Sequence, residues 1–120
     1  MTLTLVNLTP HALRVVTDDG SALLELPAAD PPARVVDSWR EADPLTDAAS
    51  RPVPTVAFTP GATVTDLPDL TPGVAYVVSR VTALALPDRT DLLFPFDEVR
   101  DTTGRVVGCR ALARVADEEV

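Results

Sequence analysis

Apolar positions in this chain come in short alternating or β-branched runs, separated by proline and by Asp/Gly punctuation. That pattern predicts strands joined by turns rather than long helices. Residues 3–7 read as a first strand, Leu8-Thr9-Pro10-His11 as a turn or bulge, and 13–17 as the resumed strand. Asp18-Asp19-Gly20-Ser21 is a hairpin turn, because Asp and Gly tolerate the positive φ of tight turns. Residues 22–26 form its return strand.

The middle of the chain is less regular. A Pro/Ala loop over 27–32 leads to a short strand over 33–36. Residues 39–51 are polar and Asp/Ala-rich with no clean period, so the expectation is a mobile loop over 37–52 or a single helical turn. Trp39 is expected to anchor that stretch on the core, with an exposed contact as the alternative. Residues 53–58 regain strand character, with Pro54 marking an edge.

The pattern sharpens after Gly73. Residues 74–78 form a buried-looking strand and Ser79 is placed to cap a helix. Val81, Leu84 and Ala85 follow at helical spacing until Pro87, giving one short helix near 79–86. Asp88-Arg89-Thr90-Asp91 is a charged loop, and Leu92-Leu93-Phe94 a short strand closed by Pro95. Residues 99–101 and 105–110 flank a Thr102-Thr103-Gly104 hairpin turn, 111–115 continue the last strand, and 116–120 are an acidic tail. The whole reads as one α+β domain over 1–120, small and β-rich, with an antiparallel or mixed sheet or partial barrel and one short helix.

Composition narrows the function classes. At 120 residues and 12.7 kDa, with 46% hydrophobic residues, the chain can bury one core without staples. No apolar run approaches the ~18–20 residues of a membrane-spanning helix. The formal charge of −8 opposes non-specific attraction to nucleic acid or anionic lipid, so neither is expected as a partner. Every base is Arg, which leaves no lysine for a Schiff base or a Walker-type phosphate grip. The single Cys109 cannot form an internal disulfide or a zinc site alone. It reads as a small buried hydrophobe in its strand. No metal or cofactor is expected. The N-terminus lacks a positively charged leader, so a cytoplasmic setting is expected.

Three segments carry candidate chemistry. In an extended segment Asn7, Thr9 and His11 share one face, and histidine titrates near neutrality. The face suits a small polar ligand, or else the residues form an Asx or Ser/Thr turn ordering a strand crossover. Ser79 and Arg80 sit at a strand-to-helix junction, where free N–H groups and a guanidinium fork favour an anion. Asp88, Arg89 and Asp91 either line a ligand site or form a charged turn. No residue is assigned a catalytic role.

The motifs Asn7-Leu8-Thr9-Pro10-His11, Gly73-Val74-Ala75-Tyr76-Val77-Val78-Ser79, Pro87-Asp88-Arg89-Thr90-Asp91-Leu92, Val99-Arg100-Asp101 and Gly104-Arg105-Val106-Val107-Gly108-Cys109-Arg110 occur in that order. Together they resemble a family of small single-domain proteins of actinobacteria and of phages or prophages. The resemblance runs from Asn7 to about Leu112, without a motif over roughly 27–63. It implies a small accessory protein, phage- or defence-related, that binds something, and it supplies no catalytic residues.

Three functions follow as expectations. The first is a non-catalytic binding module for a small anionic or nucleotide-like ligand, held by Asn7, Thr9, His11, Ser79, Arg80, Asp88, Arg89 and Asp91. The second is a protein-interaction module that forms a homo-oligomer through short, proline-bounded strand edges. The third is a small enzyme using His11 as a base.

Overall fold

The computed structural model describes residues 2–116. The charged residues of the expected acidic tail, 117–119, lie outside them. Eight strands and one helix follow in chain order: β1 (Thr4–Asn7), β2 (Leu13–Val16), β3 (Ala22–Leu26), β4 (Arg34–Thr46), β5 (Pro52–Thr65), β6 (Val74–Val77), α1 (Arg80–Ala85), β7 (Leu92–Arg100) and β8 (Val106–Ala113). Six strands form a mixed sheet in the order β1-β6-β7-β8-β2-β3, and β4 and β5 form a sheet of their own. The protein is thus β-rich with one short helix. No helix among the described residues is long and apolar enough to cross a membrane.

The six-stranded sheet curls until its two edges meet. Asn7 at the end of β1 bridges Ala28 just beyond β3, and its carbonyl accepts the Ala29 N–H at 2.8 Å. The curl gives β6 two buried faces. Val77 packs inward with Leu13, Val15 and Cys109. Tyr76 and Val78 point the other way, into a second cluster with Leu8, Ala33, Ala83 of α1 and Leu92. Val77 and Val78 are fully buried, and burial of each stabilises the fold by about 1.5–3 kcal/mol. Two-sided burial explains why 74–78 is a continuous apolar run rather than an alternating one. Gly108 marks the closest approach of β8 to β2. A Cβ there would lie 3.0 Å from the Arg14 carbonyl oxygen and 3.2 Å from Val16 Cγ1.

Three expectations are corrected. Pro95 does not close its strand, because β7 continues to Arg100. The pairing of β7 with β6 ends at Leu93, so Pro95 lies where β7 has β8 as its one partner and the missing N–H is tolerated. Residues 37–52 are neither a loop nor a helical turn. They fall within a long antiparallel hairpin whose ladder runs from Arg34 opposite Thr65 to Thr46 opposite Pro52. Asp47 closes its tip, accepting the N–H groups of Ala49 and Arg51 at 2.9 and 2.8 Å and the Arg51 guanidinium at 2.8 Å. Near its base a bulge puts Gly61 at φ +60°, a left-handed conformation suited to glycine. The Gly61 N–H donates to the Asp37 carboxylate at 2.8 Å. Trp39, on this hairpin, is 63% exposed and anchors nothing in the core.

Candidate functional site

A cleft of ≈ 680 Å³ opens where the 9–14 segment, the start of α1 and the β7–β8 hairpin converge. Four of the eight sequence-derived candidates line it: Thr9, His11, Ser79 and Arg80. The strand order makes this meeting possible. Parallel pairing of β1 with β6 in register Asn7 opposite Val77 brings the two chain exits side by side. The segment after Asn7 and the segment after Val77 therefore emerge at the same end of the sheet.

Hydrogen bonding separates these residues into those that hold the fold and those whose side chains are left facing the cleft. Asn7 is 2% exposed and its amide is saturated. Its Nδ2 donates to the carbonyls of His11 and Leu26 at 2.9 and 3.2 Å. Its Oδ1 accepts the Thr9 N–H at 3.0 Å and the Thr9 hydroxyl at 2.6 Å. This is an Asx turn that orders the crossover from β1 to β2. Ser79 is similarly occupied. Its Oγ accepts the Thr82 N–H at 3.3 Å and lies 2.8 Å from the Thr82 hydroxyl, which caps α1. With six residues, α1 is too short for its dipole to build an anion site, so the chemistry at this corner is that of the Arg80 side chain itself.

The other three candidates stand apart from the cleft. Arg89 grips both carboxylate oxygens of Asp91 with the Nε–Nη2 edge of its guanidinium, at 2.8 and 2.7 Å, and donates to the Pro68 carbonyl at 2.9 Å. Asp91 is 9% exposed, and its backbone carbonyl accepts the Tyr76 N–H at 2.8 Å. The bidentate bonds from Arg89 hold the Asp91 carboxyl below its ordinary value, against the opposing effect of burial. This pair fastens the loop that follows α1. Asp88 is exposed beside it.

The floor of the cleft is apolar. Phe94 and Phe96 of β7 and Val106 and Val107 of β8 line it, with Leu13 of β2. Its charged rim is Arg14, Arg80, Asp97 and Glu98. Three of these four are matched: Arg14 with Glu25 at 3.0 Å, Glu98 with Arg100 at 3.1 Å, and Asp97 with Arg110 at 3.6 Å. Arg80 has no carboxylate within 4.0 Å among the described residues. Asp97 adopts φ +61° inside β7, a conformation Asp tolerates better than bulkier residues. The Phe94-Pro95-Phe96 run was the available sequence signal for this floor: two aromatics two apart in a strand lie on one face.

Cys109 also borders the cleft but is 1% exposed. Its thiol donates to the Arg14 carbonyl at 3.6 Å, and burial pushes its pKa up. Both effects oppose the thiolate that a nucleophile needs. Among the described residues no cluster of three or more His, Cys, Asp or Glu side chains is placed to hold a metal ion. Comparison of the chain with protein-family models, with curated proteins and with solved structures gave no match.

Proposed function

We propose that this protein is a non-catalytic binding module. It holds a small anionic ligand with a flat, nucleotide-like apolar body in the cleft between the 9–14 segment, α1 and the β7–β8 hairpin. The observation that carries the reading is the pairing of Arg80, the rim cation without a carboxylate partner among the described residues, with a floor of Phe94, Phe96, Val106 and Val107. A guanidinium recognises phosphate or carboxylate through its planar fork, and an aromatic floor accepts a planar ring. The exposed His11 ring is a second donor at the rim.

The chain's charge of −8 disfavours an anion at long range. Charges separated by more than about 8 Å are largely screened at physiological ionic strength. The neighbouring guanidinium therefore governs binding once the ligand is seated. A phage- or defence-related accessory role, for which the motif resemblance is the support, is the setting proposed for this binding, in the cytoplasm. Native and denaturing mass spectrometry of protein purified from cells tests the reading. A nucleotide or comparable anion released on denaturation supports it, and bare protein across several growth conditions opposes it.

A further inference from the structure

Among the matched charges on the cleft rim, Asp97 is the one least well met. Its Oδ2 lies 3.6 Å from Arg110 Nε, too far for a hydrogen bond. Arg110 donates instead to Asp18, through Nη1 at 3.1 Å. One guanidinium thus faces two carboxylates, and this cluster keeps one negative charge in excess. Glu98 and Arg14 stand in simple pairs, with Arg100 at 3.1 Å and with Glu25 at 3.0 Å. Among the described residues the rim therefore carries two uncompensated charges, positive at Arg80 and negative at Asp97.

The sheet order sets these two charges apart. Arg80 follows β6, and Asp97 reaches toward Arg110 of β8; β6 and β8 are the two neighbours of β7. The strand that carries Phe94 and Phe96 runs between them. The backbone at Asp97 is also unusual. The β7–β8 ladder pairs Phe96 with Ala111 and Glu98 with Cys109 and skips Asp97, whose φ is +61°. Glycine takes this conformation without steric cost, so a carboxylate is carried where the backbone favours having no side chain.

Resting on the nucleotide-like reading of the cleft, we propose that its ligand is a nucleoside monophosphate whose base carries an exocyclic amino group, and that Asp97 accepts a hydrogen bond from that group. Arg80 takes the phosphate, the Phe94–Phe96 floor takes the ring, and Asp97 reads the base. An ionised carboxylate only accepts hydrogen bonds, and it pairs with base amino groups such as that of cytosine. A base with a carbonyl oxygen at that place, as in uracil or hypoxanthine, sets acceptor against acceptor. One uncompensated cation matches one phosphate group. Further phosphates find no second free cation among the described rim residues and meet a chain of charge −8. The cleft of ≈ 680 Å³ falls within the roughly 300–1,000 Å³ of small-molecule sites.

Calorimetric titration of the full chain with two matched pairs tests the role of Asp97. The pairs are cytidine against uridine monophosphate and adenosine against inosine monophosphate, whose members differ at the amino position. The amino-bearing member is expected to bind roughly tenfold tighter or more, the scale of a hydrogen bond to a charged group. Asp97→Asn keeps a residue that tolerates positive φ, and its amide both accepts and donates. This variant is expected to narrow the gap below about threefold at unchanged circular dichroism. Arg80→Ala weakens both members of a pair alike and preserves their ratio. Equal affinity within the pairs, tighter binding of the uridine or inosine member, or a gap that survives Asp97→Asn overturns the role of Asp97 and leaves the anion reading standing. Absence of binding by all four overturns both.

Discussion

The side-chain carbonyl of Asn7 accepts both the backbone N–H and the hydroxyl of Thr9, at 3.0 and 2.6 Å. With the Asn7 amide spent on the carbonyls of His11 and Leu26, this motif acts as a buckle. It fastens the end of β1 to the start of β2 and to the end of β3, where the curled sheet meets itself. Asn7→Ala leaves several of these groups unsatisfied in a buried place. The expected loss is about 2–3 kcal/mol of unfolding free energy. It is read as a lower urea midpoint at unchanged slope. An unchanged midpoint contradicts the buckle.

Asp91 provides a pH test. Its folded pKa is depressed by Arg89 from an ordinary 3.8, so folding favours its ionised form. The stabilisation is fully present above the unfolded pKa and is lost as pH falls through the folded one. Stability therefore drops on acidification below about pH 4. Asp91→Asn is expected to be less stable at pH 7, with a shallower decline at low pH. Denaturant midpoints at pH 7, 4 and 2.5 check this, and parallel curves for the two proteins contradict it.

Cys109 discriminates binding from covalent catalysis. Burial and the raised thiol pKa predict that a thiol reagent at pH 8 modifies the native protein more than a hundredfold slower than the unfolded chain. The His11→Ala variant is expected to show the same native rate. Fast native labelling that His11→Ala abolishes would instead mark an activated thiolate.

Much of the body was legible in the sequence because its signals are local. The Asp18–Ser21 turn, the return strand at Ala22–Leu26, the cap at Ser79 and the left-handed Gly104 all follow from residue type at one position. The β4–β5 hairpin was legible only in part: residues 33–36 and 53–58 read as strands and lie in β4 and β5, but 37–52 and the pairing of the two strands did not show. The hairpin buries neither face on the body, so nothing imposes an apolar/polar alternation, and its ladder joins residues such as Arg34 and Thr65 that are distant in sequence. Half of the candidate site residues were brought together at the cleft for a topological reason, the parallel pairing of β1 with β6. The aromatic floor was missed because Pro95 between Phe94 and Phe96 reads locally as a strand terminator. Arg89 and Asp91 were singled out as a charged loop, and only the bidentate geometry reveals that they fasten it.

The central claim is that Arg80 binds an anion over the Phe94–Phe96 floor, and calorimetric titration with a panel of nucleoside monophosphates tests it most directly. The account predicts saturable binding of at least one. A charge-assisted hydrogen bond is worth about 1.5–3 kcal/mol, so Arg80→Ala weakens that binding roughly 10- to 150-fold. Arg105→Ala, a surface control outside the cleft, binds as the parent does. Absence of binding across the panel, or equal affinity in Arg80→Ala and the parent, would contradict it.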